Sequence, residues 1–267
     1  MFLPLHDANP LKIIPFQFVT VTIIAACVGA FLWQVAQGQT ETGELVYGLG
    51  MIPAVLFGGR ELEPALVMVS AELTLITSMF LHSGWLHLIG NMLYLWVFGD
   101  NIEDSMGHLK FAAFFLVCGV AGGLAHAFAN DDSASPVIGA SGAVSGVLGA
   151  YLMLHPRVKV LVLVIKTIPL RLPAYIVLGG WFALQLFELF VSSSEASQIA
   201  LWAHVGGFAV GAALIVPMRR RNLPLFDKPG RDYPLDVRSF DTHIEGIGGS
   251  EDGQSTYRSR ILQAVPR

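Results

Sequence analysis

Six stretches of this chain, at about 16–34, 84–99, 110–128, 138–155, 172–191 and 198–217, stay apolar over the length a helix needs to cross a bilayer. Roughly 20 residues rising 1.5 Å each span the hydrocarbon layer. No water is available there to satisfy backbone N–H and C=O groups, so the chain is confined to helices or a closed barrel. Runs of this length read as helices. The expected fold is an all-α membrane protein, a six-transmembrane-helix bundle. Composition agrees, with 54% hydrophobic residues, 13% charged residues and a mean hydropathy of +0.60, far more apolar than an average soluble domain.

The net charge of -4 is small and its signs are segregated along the chain, which excludes an electrostatic footprint for nucleic acid. Cys27 and Cys118 both fall inside expected spans, and no CxxC or Cys/His finger spacing occurs. The first apolar run, Phe16 to Trp33, is long enough to be a retained span and lacks the small-residue cleavage site of a signal peptide.

Lys and Arg orient the bundle. With the N-terminus cytoplasmic, the inner segments hold Lys12, Lys110, Arg157, Lys159, Lys166, Arg171 and Arg219-Arg220-Arg221, and the outer loops hold only Arg60. The positive-inside rule selects that topology. It divides the chain into a cytoplasmic segment at 1–15, a six-helix domain at 16–217, and a polar cytoplasmic tail at 218–267 whose Gly/Asp/Ser-rich composition is that of a disordered extension. The first outer loop, about 35–83, is long and carries apolar patches, so short amphipathic helices in the outer interface are expected there.

In this topology the second, fourth and sixth helices all enter from outside. Counted by helical rise, His87 lies roughly 5 Å, Asn91 roughly 10 Å, Ser141 roughly 8 Å and His204 roughly 9 Å below the outer surface. His87 and Asn91 share a helix face at i,i+4. His82, five residues before His87, would point about 140° away if helical. Each of these residues alone reads as interhelical glue, and the small residues around Ser141 read as a packing seam: Gly139, Gly142 and Gly146, with Gly207 and Gly211 at GxxxG spacing on the sixth helix. Together at one depth they are the parts of acyl-transfer chemistry, a hydroxyl, an imidazole and two hydrogen-bond donors.

The segments His82-Ser-Gly-Trp-Leu-His87-Leu-Ile-Gly-Asn91, Gly139-Ala-Ser141-Gly142 and Ala203-His204-Val-Gly-Gly207-Phe resemble, in order, the three signature motifs of the rhomboid intramembrane serine proteases. The resemblance covers roughly 47–217, and Phe98-Gly-Asp100-Asn-Ile-Glu103, Gly107-His108, Tyr151 and Pro156-Arg157 fit the family's bacterial branch. It implies a Ser141 nucleophile, a His204 general base and acid, and oxyanion donors at His87, Asn91 and the Ser141 N–H. It also implies transmembrane protein substrates taken from the lipid bilayer of the cell (inner) membrane, and no metal or cofactor. Two departures stand out. The Trp-Arg pair that many members carry in the first loop is missing near Leu73-Thr74, and Ser145 stands where some members stack an aromatic on the histidine. The fifth helix is bulky and lacks GxxxG contacts, which makes Trp181 and Phe182 candidates for a substrate gate.

Rival chemistries fit less well. No HExxH occurs for a metalloprotease. Asp100, Glu103 and Asp104 cluster at the inner end of the second helix, where a structural network with loop residues is expected instead of an aspartyl site. Zinc on His82, His87, His126 and His204 conflicts with the diverging phase of His82 and His87. The non-enzymatic alternative is a catalytically inactive rhomboid-like binding protein or a transporter, with Gln185 and Glu188 as pathway residues.

Overall fold

The computed structural model describes residues 2–164, 168–191 and 195–227. Lys166 and the expected tail beyond residue 227 lie outside them. The chain opens with strand β1 (Phe2–Asp7) and continues into helix α1 (Phe18–Ala36). The loop that follows folds into α2 (Gln39–Leu49), α3 (Pro53–Leu56), a 3-10 turn at Pro64–Leu66, α4 (Thr74–Thr77) and a second 3-10 turn at Ser78–Phe80. Then come α5 (Trp85–Met106), α6 (His108–Ala129), α7 (Ser141–Leu154), strands β2 (Lys159–Val164) and β3 (Ile168–Pro173), α8 (Ala174–Val191) and α9 (Glu195–Met218).

Among the described residues three helical segments are long and apolar enough to cross a membrane, Phe18–Ala36, His108–Ala129 and Leu201–Met218. Two shorter apolar segments, Ser141–Leu154 and Ala174–Glu188, lie beside them. Helix α5 has 22 residues, but Asp100, Glu103 and Asp104 occupy its last two turns.

Helix α7 is the axis of the bundle. Every residue from Gly142 to Tyr151 is buried, and α5, α6, α8 and α9 all pack on it. Its Gly content would weaken a helix in water. Inside a bundle the small residues let neighbouring backbones touch, and that contact holds the helix. A Cβ built on Gly207 would lie 2.0 Å from the Gly142 oxygen, and one on Gly211 would lie 2.1 Å from the Gly146 oxygen. Large side chains fill the rest of the core around Leu95, Phe98, Phe111, Phe114, Phe115 and Tyr151.

The sheet was not expected from the sequence, where 1–15 and the segment after Arg157 read as loops. It is antiparallel, in the order β1-β2-β3, with Phe2 opposite Val164 and Lys159 opposite Pro173. The β1 register breaks between Pro4 and His6, where proline has no N–H to give the ladder. Val160 and Val162, two apart and therefore on one face, are fully buried.

The inner acids do form a network, and its partners are chiefly the backbone of residues 12–20. Glu103 accepts from the N–H of Val19 at 2.9 Å, the N–H of Thr20 at 2.8 Å and the Thr20 hydroxyl at 2.7 Å. It thereby serves as the cap for α1, whose own Gln17 makes no side-chain cap. Asp104 accepts from the N–H groups of Lys12, Ile13 and Ile14 at 2.7–3.0 Å. Tyr151 donates its hydroxyl to Asp7 at 2.5 Å, and the Asn101 amide donates to the same carboxylate at 3.1 Å. Burial pushes the Asp7 carboxyl up to about 6. Beyond α9 the chain turns back, with Arg220 N–H on Ser105 O and the N–H groups of Phe226 and Asp227 on the carbonyls of Met153 and Leu154, each at 2.8 Å.

Candidate active site

Helix α7 starts at Ser141, three residues later than the apolar run suggests. Val137 pairs with Met51 in an isolated bridge, and Gly139 donates its N–H to Ser78 O at 2.8 Å, so the segment before Ala140 is not helical. A depth counted by helical rise from Pro136 therefore does not apply to Ser141. Gly139 has φ +119, a conformation that side chains disfavour, and a Cβ there would lie 2.7 Å from His87 Nε2. Both demands require glycine at this position. The result puts Ser141 at the first turn of α7, where N–H groups without intrahelical partners concentrate positive potential.

Ser141, His204, His87, Asn91, Gly139, Gly142 and Trp181 line one cavity of about 470 Å³. The structure thus brings the expected nucleophile, base and donors to one place. Gly142 and Ala203, the neighbours of Ser141 and His204, meet across the α7–α9 seam, and a Cβ on Gly142 would lie 3.5 Å from Ala203 O. Gly207 and Gly211 pack behind the site, and Gly146 packs against Cys118 and Gly207.

The two donors are placed differently. His87 Nδ1 accepts from the Ser83 N–H at 3.4 Å and lies 3.1 Å from the Ser83 hydroxyl. An accepting Nδ1 leaves the proton of a neutral ring on Nε2, the atom beside Gly139. Asn91 is buried, and among the described residues its Nδ2 has no acceptor. Buried amides are nearly always paired, so an unpaired one facing a cavity is a donor available to whatever enters.

Three residues stand apart from expectation. His82 is not helical with respect to α5, and its ring lies 5.1 Å from His87, edge to face, so the phase argument that separated them fails. Ser145 bonds its hydroxyl to Ser141 O at 2.7 Å, within its own helix. Phe182 stacks face to face on Phe208 with centroids 4.1 Å apart, whereas Trp181 reaches the cavity and lies 5.7 Å from the His204 ring. Ser83 stands four residues before His87 inside the first motif segment but is not singled out there, and Gln185, which contacts His204 Nδ1, lies on a different helix from the residue it serves. Their sequence sign is their polarity inside apolar surroundings. Among the described residues no three His, Cys, Asp or Glu side chains converge to hold a metal ion.

Residues 70–221, more than half of the chain and the whole of this cavity's helical frame, match the family model described as the rhomboid domain. The chain belongs to the rhomboid family. It is 30% identical over 194 residues to the mitochondrial rhomboid protein 1 of Saccharomyces cerevisiae, covering 65% of this chain and 53% of the yeast one. It is 31% identical over 189 residues to the rhomboid protease GluP of Bacillus subtilis, covering 70% of this chain and 32% of that protein. The mitochondrial RHOMBOID-like protein 12 of Arabidopsis thaliana is 30% identical over 164 residues, 55% of this chain and 46% of its own. This rhomboid therefore spans between about a third and about half of the length of these relatives. Its apolar helices and its family together make it a membrane protein.

Proposed function

We propose that this rhomboid is an intramembrane serine endopeptidase that cleaves transmembrane segments of membrane proteins near the outer membrane face. The observation that carries the reading is the convergence of His87 Nε2 and the unpaired Asn91 Nδ2 beside Gly139, just ahead of α7, with Ser141 and His204 lining the same cavity. Donors that lack a partner at rest and face a serine are what a developing oxyanion requires.

His204 takes the Ser141 proton, Ser141 Oγ attacks the peptide carbonyl, and the oxyanion is met by His87, Asn91 and the first N–H groups of α7. Protonated His204 then gives its proton to the leaving amine. Water hydrolyses the acyl-enzyme and restores the dyad. No step needs a metal or cofactor.

Six spans, α1, α5, α6, α7, α8 and α9, cross the cell membrane with both termini inside. Helix α7, at 14 residues and about 21 Å, is too short for the roughly 30 Å hydrocarbon layer. With its C-terminal end near the inner surface beside the sheet, Ser141 falls below the outer surface, where water and an extended substrate meet. The inner end carries Lys12, Lys159, Arg219 and Arg220, in keeping with a cytoplasmic face. Substrate reaches Ser141 sideways past α8, with Trp181 and Phe182 as the gate, and the stretch from 218 onward is a cytoplasmic tail.

The test is reconstitution of wild type and Ser141→Ala with a tagged transmembrane substrate. Specific cleavage by wild type alone supports the reading, and equal cleavage by Ser141→Ala would sink it.

A further inference from the structure

The serine that replaces the stacking aromatic is not what holds His204. Ser145 is engaged with its own helix through the Ser141 carbonyl. The imidazole is met from α8. Gln185, 9% exposed, sets its side-chain Nε2 within hydrogen-bond reach of His204 Nδ1, and Trp181, one turn earlier on the same face, lies over the ring at a 43° tilt.

We infer that Gln185 is a positioning residue for His204, setting which ring nitrogen carries the proton, and that α8 is therefore a support of the base as well as a wall of the cavity. This inference rests on the Ser141–His204 reading above. To act as a base, the neutral ring must turn a bare Nε2 toward Ser141, which leaves the proton on Nδ1. A buried N–H without an acceptor is destabilising. Gln185 removes that penalty when its Oε1 accepts from Nδ1–H, and the same bond persists once His204 has taken the Ser141 proton and both nitrogens bear hydrogen. In the orientation seen, the NH₂ faces Nδ1 and donates to it, which puts the ring proton on Nε2, where the ring cannot accept from Ser141; turning the amide over presents Oε1 and selects the active tautomer. A glutamine thus holds both an active and an idle tautomer, with no buried charge to desolvate.

The consequence concerns the gate. Swinging α8 outward removes Gln185 and Trp181 from His204 together. Substrate admission and chemistry then belong to different positions of α8, and the base is assembled only when α8 is seated again. A wholly detached α8 would admit substrate and fail to cut it.

The experiment uses the full chain in liposomes, with kcat and KM for a transmembrane substrate and the rate at which a small fluorophosphonate labels Ser141. The fluorophosphonate needs an activated serine and no movement of α8. Gln185→Leu should lower kcat and labelling together by about 10²-fold, the scale of an Å-sized loss of alignment, with KM little changed. Gln185→Glu, which keeps the acceptor, should recover most of the labelling. Gln185→Asn, a conservative change of reach, should label as slowly as Gln185→Leu and guards against a Leu variant that does not fold. Wild-type labelling by folded Gln185→Leu or Gln185→Asn, or a loss confined to KM, would overturn the positioning role while leaving the dyad intact. Labelling of Ser141→Ala as fast as wild type would instead overturn the dyad.

Discussion

Adding one methyl group behind the site should separate Ser141 from His204, the proposed dyad, without touching either residue. Gly207 lies one helical turn from His204 on the same side of α9, and its missing side chain faces Gly142, the residue after Ser141. In Gly207→Ala the new Cβ would lie 2.0 Å from Gly142 O, 2.8 Å from its carbonyl carbon and 3.2 Å from its Cα. All three atoms are backbone of the buried central helix, so no flexible side chain can step aside. Ordinary contact begins near 3.4 Å, and the two helices must part locally by about 1.4 Å. Overpacking of this kind costs about 1–3 kcal/mol, which a bundle of this size tolerates. The rate is more sensitive, because a displacement of about 1 Å between reacting groups costs about 10²-fold. Gly207→Ala should therefore remain folded and cleave a reconstituted transmembrane substrate about 10²-fold more slowly. Gly29→Ala and Gly179→Ala, whose new methyl groups would meet nothing within 4 Å, serve as controls expected to match wild type. A folded Gly207→Ala with wild-type turnover would refute the claim that the α7–α9 seam fixes the alignment.

Four further outcomes are expected. His204→Ala should abolish cleavage, as Ser141→Ala should, and leave the protein folded in the membrane, whereas Ser145→Ala should keep most activity; an indispensable Ser145 would mean a different nucleophile. Asn91→Ala and His87→Ala should each slow turnover by about 10²- to 10³-fold, read as a fall in kcat larger than any rise in KM. Phe182→Ala, which removes the stacking on Phe208, should raise cleavage of a transmembrane substrate, and Trp181→Ala should raise it less because it also loosens His204. Asp7 is held near 6 in the fold against an ordinary 3.8, so the folded state binds the proton more tightly than the unfolded one. The stability this gives is full below about pH 4 and is lost as pH rises through about 6, a span of roughly 2–3 kcal/mol that thermal unfolding of Asp7→Asn should no longer show.

What the sequence revealed and what it hid divide along a physical line. Ser141, His204, His87 and Asn91 stood out as candidates because polar groups in an apolar run are costly, and His87 and Asn91 also share a helix face at i,i+4. The GxxxG pattern likewise announced the seam that Gly207 and Gly211 make with α7. The β1–β2 pairing was hidden because Phe2–Asp7 lies far from Lys159–Val164 in sequence and periodicity reports only on neighbours, and the local β2–β3 pair was hidden because Ile168–Pro173 runs directly into the apolar helix α8. The His82–His87 contact was hidden because helical phase was carried into the extended residues before Trp85. Gln185 was visible as a polar residue in a span, but only the packing of α8 on α9 shows that it meets His204.

The strand β1 has a consequence for the order in which the molecule is made. Tyr151 and Asp7 stand 144 residues apart, and Phe2 finds its partner only at Val164. As the chain leaves the ribosome, α1 through α7 are made before strand β1, already held by side chains of α5 and α7, has a strand to pair with. Loop closure over such a distance is slow compared with local helix formation. A nascent chain halted before Lys159 should therefore hold α1 through α7 yet leave strand β1 open to protease, and release to beyond residue 173 should protect it. Closure of the sheet would thus mark the completion of α1 through α7 before α8 and α9 are added, a checkpoint in biogenesis made of main-chain hydrogen bonds.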